Sequence, residues 1–154
     1  LMNKIHFLML PLMLTSMILA NEIEGNKILN VMVDHNYELD KENYGSLEDY
    51  FTFPFTYNEM EKTLYATNQK ELKKVLKKLY RKLPKDHSHK DWKKMDVKLI
   101  NDHIALVNAM FSRFNKKGEN YFTGAAMYTF RKDDNFWKII SITPYKPYNY
   151  FEFD

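Results

Sequence analysis

The chain of 154 residues contains no cysteine. This absence excludes disulfide bonds, a cysteine nucleophile, a thiolate metal site and a lipid-modified cysteine behind an export signal. Any folded domain must therefore be stabilised by packing alone. The chain also shows no internal repeat, no linker and no second domain, and nothing in it predicts a cofactor.

The composition is that of a folded protein with many aromatic rings. Hydrophobic residues make up 45% of the chain, charged residues 28% and aromatic residues 16%, with 11 Tyr and 11 Phe. Aromatic side chains can line a ligand pocket, but they are also favoured in strands and cores. The composition leaves both interpretations open.

The N-terminus has the layout of an export signal. Lys4 precedes an almost wholly apolar run over residues 5–19, and the small Ala20 is followed by polar residues. The run is shorter than the roughly 20 residues that a membrane-spanning helix needs. We therefore predict a signal peptide over residues 1–20, cleaved after Ala20, and a periplasmic or secreted protein.

Two alternatives to cleavage stay open. Ile18 is larger than the residue usually found three positions before the cut, so an uncleaved anchor is one of them. A buried helix is the other. In each case the fold is expected in a single domain over residues 21–154.

Apolar spacing predicts three helices in the first half of that domain. The first covers residues 27–40, with a stripe that includes His35. A short second helix is expected to start at Ser46, with Asp49 completing a capping box, and to end at Pro54. The apolar stripe of the first helix also contains Ile28, Val31, Met32 and Leu39.

The third helix is expected to begin after Asn68, with Glu71 at the capping-box position, and to end at Pro84. Its apolar stripe is Leu72, Val75, Leu76, Leu79 and Leu83. The next stretch, residues 85–94, is polar and is predicted to be a loop.

The rest of the chain is strand-like. Short extended segments are predicted at residues 53–57 and 62–66, and longer alternating segments at residues 95–100, 103–115, 120–131 and 136–143. Gly118 can take the positive φ of the turn between two of them. Helices followed by an antiparallel meander predict an α+β fold.

The predicted order of helices and strands resembles the nuclear transport factor 2-like (SnoaL-like) superfamily, and three stretches carry the resemblance. They are the break between helices that ends in residues 49–54, the strand from Asp102 to Arg113 with the Gly118 turn, and the closing hairpin of residues 128–139. The resemblance implies a cone-shaped curved antiparallel sheet, packed against about three helices in a cystatin-like arrangement, with a cavity between them. The superfamily includes isomerases, dehydratases, epoxide hydrolases, transport adaptors and assembly domains, so the fold does not assign a function.

Strand alternation predicts the residues of a ligand pocket. Phe111 and Arg113 share one face of their strand. If that face lines the cavity, the guanidinium can bind the carboxylate of a small organic acid. The further wall residues are Tyr50, Tyr128, Trp137 and Ser141. The alternative is that Arg113 pairs with Asp or Glu and that the rings only pack.

Catalysis and metal binding have weaker support. The candidates for acid–base chemistry are Asp34, His35, Asp40, Asp102 and His103, and no two of them form a specific pair, so the question of an enzyme is left open. His87 and His89 alternate and could contribute to a metal site, but a solvated loop is the favoured interpretation, and no metal is predicted.

The charges are distributed asymmetrically. Residues 70–94 are rich in lysine, whereas residues 21–62 are acidic. The third helix should therefore expose lysines that could meet an anionic surface or a second copy of the chain, or simply remain solvated. No nucleic-acid partner is expected. The aromatic run of residues 145–153 is either an extra edge segment or an oligomer contact.

The leading hypothesis is an exported binding domain for a small anionic or aromatic ligand. The alternatives are an isomerase, dehydratase or hydrolase that uses a cavity Asp or His, and a dimeric interaction module that docks through the lysine-rich helix.

Overall fold

The computed structural model describes the backbone of residues 6–154 and the side chains of residues 19–47 and 49–154. Residues 1–5 of the predicted signal peptide, and the side chains of residues 6–18, lie outside that description, so the signal peptide stays a prediction. No helix in the described part of the chain is both long and apolar enough to cross a membrane.

The first helix, α1, spans His6–Asp40 and contains the predicted helix of residues 27–40. Its predicted stripe faces the core: Ile28, Met32 and His35 are buried. Asp34, beside the stripe, is exposed. α1 therefore packs as its apolar spacing predicts.

The predicted second helix is a 3-10 helix at Ser46–Tyr50. Ser46 does not form a capping box with Asp49; its hydroxyl donates to Glu38 Oε2 at 2.9 Å and to the Asn43 carbonyl at 3.2 Å. Pro54 does not end this helix but lies inside the following strand. Leu47 of this short helix is buried in the core, and the first strand of the sheet begins at Phe51.

The predicted third helix is α2, Gln69–Tyr80. The Asn68 side chain accepts a hydrogen bond from the Glu71 backbone N–H at 3.0 Å. Glu71 Oε2 in turn accepts one from the Thr67 N–H at 2.8 Å, so the start of the helix is capped from both sides. α2 ends at Tyr80, one turn before the predicted stop at Pro84.

Six strands form one sheet in the order β2-β1-β6-β5-β4-β3. They are β1 (Phe51–Asn58), β2 (Thr63–Ala66), β3 (His87–Asn101), β4 (Ile104–Asn115), β5 (Asn120–Asp133) and β6 (Phe136–Tyr145). β1 runs parallel to β6, and every other neighbouring pair is antiparallel. The predicted α+β fold is confirmed, with two α-helices on a curved mixed sheet where about three helices on an antiparallel sheet were expected.

The predicted loop of residues 85–94 is wrong, because β3 already begins at His87. β3 is polar here since one of its faces is solvated, and its pairing with β4 supplies the backbone hydrogen bonds. Its register with β4 shifts between His87 and His89, and again between Trp92 and Lys94. These bulges change which side chains point inward.

The two helices cover the concave face of the sheet, and the main core lies between the helices and the sheet. Residues of every strand contribute to it, among them Phe55, Val107, Phe130 and Ile139, each fully buried. The C-terminal run lies instead on the outer face, where the Asn108 amide donates to the Phe151 carbonyl. The Phe153 N–H donates to Asp96 on the same face, so this run packs against its own sheet.

Candidate functional site

A polar site forms where the C-terminal end of α1 meets the start of β3. The Asn36 amide donates to the Lys90 carbonyl at 2.8 Å. The Lys90 backbone N–H donates to Asp40 Oδ2 at 3.1 Å. Because Asn36 and Asp40 are one helical turn apart, one face of α1 holds the strand at two adjacent points.

His87 lies between an acid and a phenol at this end of β3. Its Nε2 is 3.6 Å from Asp40 Oδ1, and its Nδ1 is 2.7 Å from the Tyr121 hydroxyl. Burial lowers the pKa of His87 below its ordinary value, against the opposing effect of the Asp40 carboxylate. A neutral imidazole that accepts from Tyr121 carries its proton on Nε2, towards Asp40. The Asp40 carboxylate and the Tyr121 hydroxyl therefore flank the two ring nitrogens of His87, and only the Tyr121 contact is a hydrogen bond.

Lys90 and Arg113 are cross-strand partners on β3 and β4. Lys90 Nζ lies 4.1 Å from the centroid of the Trp92 ring, and the Arg113 guanidinium carbon lies 5.2 Å from that of Phe111. Within the described part of the chain, neither cation forms an ion pair with a carboxylate. Burial, reinforced by the Arg113 charge, lowers the pKa of Lys90 to about 7. The pair is a local excess of positive charge against aromatic walls.

Behind these cations the cone is packed with rings around His35. The His35 ring centroid is 6.1 Å from that of Phe51, 6.2 Å from Trp92 and 6.0 Å from Tyr128. The Trp92 ring also contacts Phe111 edge to face, with the centroids 6.1 Å apart. The floor of the site is therefore apolar and closely packed.

Two buried polar atoms beside the site have no hydrogen-bond partner among the described residues. They are Asn36 Oδ1 and Trp92 Nε1. A buried polar atom usually has a partner, because leaving it unpaired costs about 1–3 kcal/mol. One acceptor and one donor are thus free for a ligand or a water molecule.

Of the six predicted pocket residues, the structure brings three together here: Phe111, Arg113 and Tyr128. Trp137 lies at the other end of the sheet. Arg113 pairs with Phe122 and Trp137 with Lys132, ten residues apart on β5, which corresponds to about 30 Å along a strand.

Trp137 and Tyr50 belong to a separate surface pocket of about 510 Å³. The other lining residues of this pocket are Lys27, Asn30, Val31, Asp49, Asn135 and Phe136. The Trp137 indole N–H does not face this pocket as a free donor, since it donates to Glu24 Oε2 at 2.7 Å. The two residues were expected in the Arg113 pocket, and the length of the sheet separates them from it.

Ser141 does not face the interior. A bulge between β5 and β6 pairs Phe130 with Ile139 and Thr129 with Ser141. One extra residue reverses the alternation, so Ile142 is buried and the Ser141 hydroxyl accepts from Thr56 Oγ1 at 3.0 Å on the outer face. The predicted inward orientation of Ser141 is therefore wrong.

Among the acid–base candidates, Asp40 lies in this site and His35 lies in its floor. Asp34, Asp102 and His103 are exposed. His35 is buried in the ring cluster, where burial lowers its pKa to about 3 and keeps it neutral. Its environment is that of a core histidine.

The solvated-loop interpretation of His87 and His89 is wrong for His87, whose side chain is only 4% exposed. His89 stacks on the Phe114 ring, with the centroids 5.0 Å apart. The bulge between them gives the two histidines different neighbours. The described residues contain no group of acidic or histidine side chains that could hold a metal ion.

Sequence reasoning missed Asn36, His87, Lys90 and Tyr121. Lys90 and Trp92 alternate within the segment that was predicted to be a loop, and a strand there would have placed both on one face. Nothing in the sequence indicates that Asp40, His87 and Tyr121 meet.

The chain belongs to the family described as NTF2-like protein (DUF6841), whose model matches residues 32–147. This match covers most of the fold described above and confirms the resemblance. No curated protein sequence matches the chain.

Solved structures with the same fold have low sequence identity to the chain. A Nostoc punctiforme protein of unknown function with a cystatin-like fold has a TM-score of 0.68 and 13% identity, over 79% of this chain and 90% of its own. A Novosphingobium aromaticivorans protein, provisionally assigned as a scytalone dehydratase, has a TM-score of 0.62 and 20% identity, over 80% and 84%. The association domain of C. elegans CaMKII has a TM-score of 0.61 and 11% identity, over 81% and 97%.

Proposed function

We propose that this protein is an exported binding protein for a small aromatic acid, which it holds between Lys90 and Arg113. The observation that carries the proposal is the pairing of two partly or fully buried cations on adjacent strands, with no carboxylate in ion-pair contact among the described residues. Buried charge is costly unless it is compensated. A bound carboxylate would supply the compensation.

The chemistry of the surroundings supports an aromatic acid. The Arg113 guanidinium can bind a carboxylate through two parallel hydrogen bonds. Phe111, Phe122 and Trp92 offer ring faces and edges within about 5–6 Å of the cations or of each other. The free Trp92 N–H can donate to a second polar group of the ligand.

The test is a calorimetric titration with benzoate and with neutral benzamide. Benzoate should bind the protein, and benzamide should bind at least about 10-fold more weakly, since it lacks the charge. Arg113→Gln should weaken benzoate binding by about 10-fold or more. Arg131→Gln, which alters an exposed arginine of β5, is the matched control and should bind like the wild type.

Binding should also depend on pH through Lys90. Its pKa is about 7, so the ammonium is present at about pH 6 and largely lost at about pH 9. Benzoate should therefore bind more weakly at the higher pH. Equal binding of benzoate and benzamide, or unchanged binding by Arg113→Gln, would refute the proposal.

A second candidate function is acid–base catalysis, favoured by the Asp40–His87–Tyr121 cluster. A histidine beside a carboxylate and hydrogen-bonded to a phenol can move a proton to or from a ligand. The provisional dehydratase assignment of one structural neighbour is in keeping with this candidate. A ligand that the wild type converts over time, and that His87→Gln binds but does not convert, would establish catalysis; a ligand recovered unchanged from both would exclude it for that ligand.

A further inference from the structure

Lys90 has an unusual environment for a lysine. The residue is 9% exposed, and its ammonium lies 4.1 Å from the Trp92 centroid and 5.3 Å from the Phe111 centroid. Arg113 lies opposite on the paired strand. Burial away from water and a neighbouring cation both disfavour the ammonium form, and these two conditions make lysine amines nucleophilic.

The charged and titratable groups around Lys90 come from several elements. α1 contributes Asp40, whose charge raises the pKa of Lys90, and the neutral His35. β4 contributes Arg113, whose charge lowers it, while His87 lies on β3 itself. Burial outweighs the single carboxylate, so the pKa falls to about 7 and a large fraction of the amine is neutral at neutral pH.

We propose that Lys90 is an amine nucleophile that forms an imine with 2-oxo acids whose carboxylate is held by Arg113. This inference rests on the proposed function for the position of the carboxylate. It narrows the ligand class to acids that carry a carbonyl group next to the carboxylate.

The reaction balances without an oxidant or a reductant. The Nζ lone pair forms a bond to the carbonyl carbon while the carbonyl oxygen takes up a proton, and the nitrogen loses a proton to give a carbinolamine. A second protonation of that oxygen breaks the carbon–oxygen bond, water leaves as the protonated imine forms, and loss of the proton on nitrogen gives the neutral imine. Water supplies and takes up these protons.

Reductive trapping tests the proposal on the wild-type protein. The protein is incubated at about pH 7 with pyruvate and cyanoborohydride, and the modified lysines are mapped by mass spectrometry. An exposed lysine has only about one neutral amine in a thousand at this pH. Lys90 should therefore be labelled at least about 10-fold faster than any lysine of α2.

Two comparisons separate this inference from the proposed function. Acetone has the ketone without the carboxylate, so it should label Lys90 about 10-fold more slowly than pyruvate, and Arg113→Gln should remove that difference. Benzoate in excess should protect Lys90 from pyruvate. Lys98→Arg, in the same strand, is the matched control and should leave the Lys90 label unchanged.

The outcomes are distinct. Labelling that spreads over the α2 lysines with no excess at Lys90 overturns the inference, even if benzoate binds and the proposed function stands. Preferential Lys90 labelling that is the same for acetone and pyruvate supports the nucleophile but overturns the Arg113 anchor, and the proposed function with it. Because the mapping uses wild-type protein, neither outcome depends on whether a Lys90 variant folds.

Discussion

At the scale of single residues, burial changes the chemistry of His35 and Lys90 in the same direction. Each loses the solvation of its charged form, and each has its pKa lowered, His35 to about 3 and Lys90 to about 7. The chemical consequences differ because the two side chains lie in different surroundings. His35 is enclosed by Phe51, Trp92 and Tyr128, and its Nδ1–H donates to the Val31 carbonyl at 3.1 Å. Lys90 lies beside Arg113, its cross-strand partner, which has no ion pair among the described residues.

His35 should make the protein less stable as the pH falls from about 6.5 towards 3. In this window the unfolded chain binds a proton at His35 and the folded chain does not, so the free energy of unfolding falls as the pH falls, by up to roughly 5 kcal/mol in total. Urea denaturation between about pH 6.5 and 4.5 measures the slope, above the range in which most carboxylates titrate.

His35→Leu should flatten this slope, whereas His103→Leu, which alters an exposed histidine, should keep it. His87 also has a lowered pKa and adds to the slope in both variants, so the difference between them isolates His35. Identical slopes for the wild type and His35→Leu would contradict the assignment.

At the scale of elements, α1 is tied to the β5–β6 hairpin through Glu24. Its carboxylate accepts from Lys132 Nζ and Trp137 Nε1, each at 2.7 Å, and pairs with Lys27 at 2.7 Å. The Lys132 and Lys27 ammonium groups and the Trp137 N–H outweigh the effect of burial and lower the pKa of Glu24 to about 2. Glu24 follows the predicted cleavage point by four residues, so the anchor would remain in the cleaved protein.

Glu24→Gln should destabilise the fold by about 1–3 kcal/mol at neutral pH, since it weakens charge-assisted hydrogen bonds. The folded-state pKa is depressed, so the stabilisation by Glu24 is full above about pH 4.5 and is lost as the pH falls through about 2. Urea denaturation at about pH 7, 4 and 3 should show a difference in the free energy of unfolding between wild type and variant that begins to narrow at about pH 4 and narrows further at about pH 3. Glu22→Gln, at an exposed position, is the control. An equal loss of unfolding free energy in both variants would refute the role of Glu24 in linking α1 to the β5–β6 hairpin.

At the scale of the whole molecule, charge is separated across the surface. The lysines of α2 lie on the side opposite its buried Leu72, Val75 and Leu76, and Lys70, Lys73, Lys74, Lys77 and Lys78 are all exposed. An exposed positive face of this kind is attracted to anionic lipid, with about 1 kcal/mol for each lysine close to the surface. Docking through this face, and the dimer expected from the sequence, stay predictions.

The protein should bind phosphatidylglycerol vesicles, and binding should fall as salt rises from about 0.05 to about 0.5 M, since salt screens exposed charges. Replacing Lys73, Lys74 and Lys78 together by Gln should weaken binding by about 100-fold. The control replaces the exposed Lys116 and Lys117 of the β4–β5 turn. Vesicle sedimentation measures the binding of each variant and its salt dependence. Binding without salt dependence, or equal losses in the two variants, would show that the α2 lysines do not dock to anionic lipid.

The sequence by itself determined the features that depend on a few neighbouring residues. The α1 stripe at Ile28, Met32 and His35, the Asn68 cap of α2 and the Gly118 turn, with a φ of 81°, follow from helical spacing, side-chain hydrogen bonding and glycine's freedom at positive φ. These local signals, in order, were enough to identify the family.

Only the tertiary structure decided which side chains meet. Asp40 and His87 are 47 positions apart, and His87 and Tyr121 are 34 apart, and they come together because a helix end lies over an edge strand. The β-bulges place His87 towards the interior and Ser141 on the outer face. No residue type in the sequence predicts where these bulges occur. Local propensity acts over a few residues, whereas register and packing are set by the whole sheet, so the composition of the site had to come from the fold.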